Sequence, residues 1–349
     1  MDPLSLATTI TDAWRVAAGE LAGVPRPAPA VMPTPRDVIL RDGTASLLRF
    51  RGATSPVQGR APIVLVPSLI NQWYVLDLRP GASLVAALVD AGFDVWCLDW
   101  GAPEDEDRHR TWTDVLDRLA RMLRRVRRET GAIRTGLLGY CMGGTLCAIH
   151  TALHPGDIAA LVDLCGPIDF AQGGALRRMV DPAWFDADAV ADAGNVAPAQ
   201  MQAGFTALRP TLELAKLMSM PELATDPAGR EAYAALETWA TDNIAFPGEA
   251  YRTYIGELYQ ANRLIEGTHH VRGRRVDLGA ITCPTLAIVA DRDAICPPGS
   301  AIALTERVGS PDTAVLRVPG GHVGAVVGGR AAREMYPALA LWLAAKLVC

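Results

Sequence analysis

Lysine is almost missing from this chain. Only Lys216 and Lys346 occur among its 349 residues, and arginine carries the rest of the positive charge. That bias reads as genome composition rather than function. Basic surplus is missing too, since the formal net charge is −5. Nucleic acid is therefore not an expected partner. No apolar run approaches the ~18–20 residues of a membrane span. The N-terminus lacks the basic-then-apolar pattern of a signal peptide, so a cytoplasmic protein is expected. Close cysteine pairs of the metal-binding type are absent among the seven cysteines at 97, 141, 147, 165, 283, 296 and 349. Most lie in apolar segments, as Cys97 does, so reduced, buried thiols are expected and a zinc site is not.

What the chain does have is apolar residues, half of the total. That suffices for one large core or for a core with a cap. Short apolar runs at 63–66, 95–98, 135–138, 159–162, 285–289 and 315–318 read as buried strands. Helical patterns such as 83–91 and 113–127 separate most of them. Ahead of these, Val38 to Leu40 and Leu47 to Phe50 flank Asp42-Gly43 as a hairpin. The order implies an α/β fold with a doubly wound, mostly parallel sheet. Between about Phe170 and Asp277 the strand rhythm stops and a mainly helical stretch takes over. The expected division is an N-terminal helical segment and linker over 1–36, a core over 37–169 and 278–349, and a cap over 170–277.

The sequence Gly139-Tyr140-Cys141-Met142-Gly143-Gly144 follows one of the strand runs and precedes a helical run beginning near Thr145. Strand, tight turn and helix around a small-flanked nucleophile form the nucleophile elbow of the α/β-hydrolase fold. Cysteine takes the place usually held by serine. In this fold an acid and then a histidine follow in chain order. The strand at 285–289 leads to Asp291 and Asp293, either of which stands where an orienting carboxylate belongs. Asp293 is preferred for its place before Ile295-Cys296-Pro297-Pro298; Asp291 reads as a turn cap or a partner of Arg292. The last strand leads to Gly320-Gly321-His322, a histidine held on a tight loop and the candidate base. The backbone N–H of Met142 is the expected first donor to an oxyanion, with Leu69 or Ile70 as the second.

The remaining histidines are weaker candidates. His150 and His154 read as structural, and His269 and His270 as solvent-facing. The run Arg118, Arg121, Arg124, Arg125, Arg127 and Arg128 reads as the solvated face of a helix. Val115, Leu119, Leu123 and Val126 point inward on its other side.

Across roughly residues 36–345 the chain resembles the polyhydroxyalkanoate synthases, in particular their short-chain, two-subunit type. The resemblance is carried by Val66-Pro67-Ser68-Leu69-Ile70-Asn71 with Tyr74 to Leu78, and by Asp99-Trp100-Gly101-Ala102-Pro103. The Cys141 elbow, Ala152-Leu153-His154-Pro155, Asp293 to Pro298 and Gly320 to Gly324 complete it. It implies Cys141 as acyl nucleophile, His322 as base and Asp293 as third member. It implies (R)-3-hydroxyacyl-CoA as substrate, a polyester as product, and no cofactor beyond the CoA of the substrate. A helical partner subunit or a homodimer, and a place at the surface of polyester granules, are implied as well. The family usually carries histidine directly after the acid, where Ala294 stands here. Two other readings share these residues. One is a cysteine-dependent hydrolase similar to dienelactone hydrolases, polyester depolymerases or acyl-CoA thioesterases. The other is a non-catalytic granule protein.

Overall fold

A computed structural model describes residues 29–208 and 226–348. The helical segment expected before residue 29, Lys216 and Cys349 lie outside the described residues. Eight strands form the main sheet: β1 (Arg36–Asp42), β2 (Ala45–Phe50), β3 (Ile63–Val66), β4 (Val95–Asp99), β5 (Thr135–Tyr140), β6 (Ile158–Leu164), β7 (Thr285–Ala290) and β8 (Thr313–Val318). Their order is β1-β2-β4-β3-β5-β6-β7-β8. β1 and β2 form the expected hairpin, and β2 also runs antiparallel to β4. Every other pair is parallel.

Burial explains the composition of these strands. β3, β5, β6 and β7 are buried at every residue. Helices cover both faces of a parallel sheet, so such strands read as continuous apolar runs. β8 lies at the edge, and its exposure alternates instead. The sequence order reverses around β3, which places a crevice beyond the carboxyl ends of the neighbouring strands.

Two helices show how local signals set the frame. Helix α1 (Leu84–Asp90) starts where Ser83 accepts the Ala86 N–H at 2.8 Å. Helix α2 (Trp112–Thr130) starts at a reciprocal Thr111–Asp114 capping box and ends at Gly131, with φ of 70°. Its Val115, Leu119, Leu123 and Val126 are buried as the spacing requires. The arginine face is less solvated than expected. Arg118 is buried and joins Arg121 on Asp42, with N–O distances of 3.7 and 2.6 Å. Arg125 pairs with Glu129 and Arg127 with Asp157. Arg124 and Arg128 remain exposed, so the face is solvated only in part.

Between β6 and β7 the chain leaves the sheet. After α3 (Met142–Leu153), this insertion supplies α4 (Gly174–Met179), α5 (Ala187–Asp192), α6 (Pro198–Leu208), α7 (Pro227–Thr241) and α8 (Gly248–Arg252). A π-helical stretch, Thr253–Gln260, continues α8, and the strand pair His270–Val271 and Arg274–Arg275 adds a small ribbon. Aromatic packing ties the insertion to the core. Phe170, Phe246, Tyr254 and Tyr259 are buried, and Tyr254 stacks on Trp112 of α2 at 5.4 Å between ring centroids. Burying each such ring contributes roughly 1.5–3 kcal/mol. Polar contacts fix its edges: Trp239 Nε1 donates to the Gln72 carbonyl at 2.8 Å, and Tyr74 donates to Asp242 at 2.9 Å. Among the described residues no helix is long and apolar enough to cross a membrane.

Candidate active site

Cys141 sits between β5 and α3 with φ of 55° and ψ of −128°. A side chain at positive φ is strained by about 1–3 kcal/mol and persists only where its surroundings enforce it. Here they do. The Cys141 N–H donates to the Leu164 carbonyl at 3.0 Å, and its carbonyl accepts from the Gly144 N–H at 2.8 Å. The flanking glycines are needed for close approach. A Cβ at Gly139 would lie 2.3 Å from the Gly143 carbonyl oxygen, and one at Gly143 only 1.9 Å from the Val66 carbonyl oxygen. Helix α3 therefore begins at Met142, directly after the cysteine, rather than near Thr145. The pair Gly143-Gly144 is a packing requirement in space. The turn leaves Cys141 half-buried on the wall of a cavity shared with Met142, Ile70 and Cys296.

Two loops at the carboxyl ends of β7 and β8 complete the site. Asp293 follows β7 and His322 follows β8. His322 Nδ1 lies 2.7 Å from Asp293 Oδ2. The other carboxylate oxygen accepts the Ile295 and Cys296 N–H groups at 2.8 and 2.9 Å. Asp291 is turned outward and pairs with Arg317 at 2.8 Å, not with Arg292. Both His322 and Asp293 are buried. Asp293 fixes the proton on Nδ1 and so leaves Nε2 to exchange a proton. Burial lowers the His322 pKa, but Cys141 and Asp293, through charge, and the Asp293 hydrogen bond outweigh it and raise the value to about 10. Burial alone would favour the neutral imidazole, but the neighbouring groups favour its protonated form instead.

The structure brings Cys141, Asp293, His322 and Met142 to one place. Of the two candidate second donors, Ile70 shares the cavity wall with Cys141 and Met142. Leu69, beside it, is also buried. Three further residues join the site without a signal in sequence. Cys165 has φ of 53°, and its sulfur lies within 4.8 Å of ligand atoms of Asp293 and His322. A thiol, a carboxylate and an imidazole so close could hold a metal, but the Asp293 oxygens are already engaged by His322 and two backbone N–H groups. Tyr140 lies with its ring centroid 5.2 Å from that of His322. Asp163 is buried beneath the elbow, and burial pushes its carboxyl pKa well up.

The histidine pair in the insertion departs from expectation. His270 is exposed, but His269 is buried and its Nδ1 lies 3.0 Å from Glu257. The carboxylate that draws it inward comes from the π-helical stretch. His150 of α3 and His154, just past its end, lie 4.8 Å apart between ring centroids with their planes tilted, away from the cavity walls.

Residues 61–328 match the family model of the alpha/beta hydrolase fold, and residues 29–88 match that of the poly-beta-hydroxybutyrate polymerase (PhaC) N-terminus. The chain is 33% identical over 315 residues to a poly(3-hydroxyalkanoate) polymerase subunit PhaC of Haloferax mediterranei, covering 89% of this chain and 64% of that protein. It is 32% identical over 317 residues to a protein of the same name from Allochromatium vinosum, covering 89% of this chain and 88% of the relative. A soluble variant of the Saccharomyces cerevisiae monoglyceride lipase shares the fold, with a TM-score of 0.58 at 14% identity over 92% of this chain and 100% of the lipase. The elbow, the order of its followers and these likenesses agree: the chain belongs to the PhaC family of poly(3-hydroxyalkanoate) polymerases, within the α/β-hydrolase superfamily.

Proposed function

We propose that this protein is an acyltransferase that polymerises (R)-3-hydroxyacyl-CoA into a polyhydroxyalkanoate, releasing one CoA per addition. The observation that carries the reading is a strained, half-buried thiol at Cys141 facing an apolar cavity near the buried His322–Asp293 pair. In the first half-reaction the Cys141 thiolate attacks the substrate carbonyl. The bond to the CoA sulfur breaks, and CoA leaves as a thiol with a proton from His322 Nε2. One thioester replaces another, so the step is close to thermoneutral and the acyl group stays activated. In the second, the hydroxyl of the growing chain attacks the Cys141 thioester. His322 takes the hydroxyl proton, an oxoester forms, and the thiolate is regenerated. That exchange is downhill, and a serine ester would have spent the driving force one step earlier.

Either His322 or Asp293 could in principle take the hydroxyl proton. Asp293 is fully engaged and buried, which favours His322. The Met142 and Ile70 N–H groups are the donors we assign to the oxyanion, because both residues line the cavity beside Cys141. Residues of the insertion act as a cap that excludes water, because hydrolysis is the competing reaction. A helical partner subunit or a second copy of this chain, and work at a granule surface, belong to the same proposal. Relatives named as polymerase subunits support it. Incubation with (R)-3-hydroxyacyl-CoA tests the reading. Polyester formed with matching CoA release supports it; free hydroxy acid alone would mean a hydrolase.

A further inference from the structure

The loop after β3 carries Ile70, and the insertion grips it residue by residue. The Ile70 carbonyl accepts the Ile244 N–H at 3.2 Å. Asn71 pairs with Asn243 as an isolated antiparallel bridge, and its Nδ2 donates to Asn243 Oδ1. The Gln72 carbonyl accepts from Trp239 Nε1 at 2.8 Å, and Gln72 Nε2 donates to Asp242 Oδ1 at 3.4 Å. The Tyr74 hydroxyl donates to Asp242 Oδ2 at 2.9 Å. All four partners, Trp239, Asp242, Asn243 and Ile244, come from the end of α7 and the few residues after it. The core holds the same loop from its other end, where Trp100 Nε1 donates to the Pro67 carbonyl at 3.0 Å. Two residues further on, Phe246 exchanges two backbone hydrogen bonds with Val196, at 2.8 and 3.0 Å, and both line the cavity beside Cys141. The segment is thus anchored on the loop and on the cavity wall.

We propose that residues 239–244 are positioning residues for the oxyanion donor: the Ile70 N–H is aimed only while this segment of the insertion is seated on the loop. The inference rests on the acyl-transfer reading and gives the insertion a second task besides excluding water. A backbone N–H points where the dihedrals beside it direct it, because the peptide unit is planar. Holding the Ile70 carbonyl and the Asn71 side chain restrains those dihedrals. Apolar packing alone is non-directional, whereas hydrogen bonds fix one register. An oxyanion donor works by being aimed before charge develops. Cys141 does not depend on the segment, since its backbone is held by Leu164 and Gly144. Displacing the segment therefore leaves the nucleophile in place and removes one donor. Such an open form is slow both to load an acyl group and to hydrolyse one, because each step passes through the same oxyanion.

The test compares two reactions of Cys141 in the full chain. Acylation by (R)-3-hydroxybutyryl-CoA passes through a tetrahedral oxyanion. Alkylation by iodoacetamide displaces iodide at a saturated carbon and does not. Asp242→Ala removes the acceptor of Gln72 and Tyr74, and Asn243→Ala removes that of Asn71. Each should lower kcat for CoA release roughly tenfold, with KM and the alkylation rate within about twofold of the parent. Asp242→Asn keeps an acceptor for Tyr74 and should return kcat to within about threefold of the parent. If an alanine variant fails to fold, Tyr74→Phe carries the test, with kcat expected to fall roughly threefold and alkylation unchanged. An undiminished kcat in the folded variants overturns the inference. An equal fall in acylation and alkylation also overturns it, because the whole site would then have loosened. Both of those outcomes leave the acyl-transfer reading standing. No CoA release from the parent chain overturns that reading and the inference with it.

Discussion

The Asp293 carboxylate divides its two oxygens between different tasks: Oδ2 lies 2.7 Å from His322 Nδ1, while Oδ1 accepts the N–H groups of Ile295 and Cys296. One oxygen orients the imidazole, and the other anchors the acid to its own loop. Asp293→Asn can keep the loop but presents an amide that cannot serve both tasks equally well. We expect it to lower the rate of Cys141 acylation by about 10³–10⁴ with little loss of secondary structure. Stopped-flow release of CoA, with circular dichroism as the folding check, measures this. A loss of less than tenfold would remove Asp293 from the proton-transfer machinery.

Gly143 offers a test of the elbow itself. A methyl at this position meets the Val66 carbonyl oxygen at 1.9 Å, and backbone cannot step aside cheaply. Gly143→Ala should cost about 1–3 kcal/mol of stability. It should also displace the Met142 N–H and reduce kcat. Urea denaturation and acylation rates on the same sample check both. Wild-type values for both would mean that the turn is looser than described.

His150 gives a pH dependence of stability. Burial first, and then the nearby His154, lower its pKa from 6.5 to about 3. The folded state therefore stays unprotonated where the unfolded chain takes up a proton. Stability from this group is fully present above pH ~6.5 and is lost as pH falls toward ~3, by an amount of order a few kcal/mol. His150→Leu should flatten the urea midpoint between pH 7 and pH 5 relative to the parent. An equally steep decline in the variant would assign the acid sensitivity to other groups.

Much of this arrangement was legible before any coordinates, and the reason is range. The elbow, the acid loop and the histidine loop are each short motifs, and chain order along a parallel sheet brings the ends of β5, β7 and β8 together. The strands were legible because burial on both faces writes them as unbroken apolar runs. Long-range contacts were not legible. Cys165 directly follows β6 and reaches the His322–Asp293 pair only through sheet order. His269 is buried through Glu257, a contact made by a π-helical turn that no local pattern announces. Arg118 belongs to a face that looks solvated until Asp42 of the first hairpin packs over it.

The central claim is that a single acyl group passes through a thioester on Cys141. An acyl-CoA lacking the 3-hydroxyl tests it most directly, because it can load the cysteine but cannot extend a chain. Mass spectrometry of the mixed enzyme should show one acyl increment on the peptide that contains Cys141, cleaved by hydroxylamine and absent in Cys141→Ala. Cys141→Ala should fold normally and keep less than about a few per cent of wild-type polymerisation. An acyl group found on another residue, or full turnover by Cys141→Ala, would contradict it.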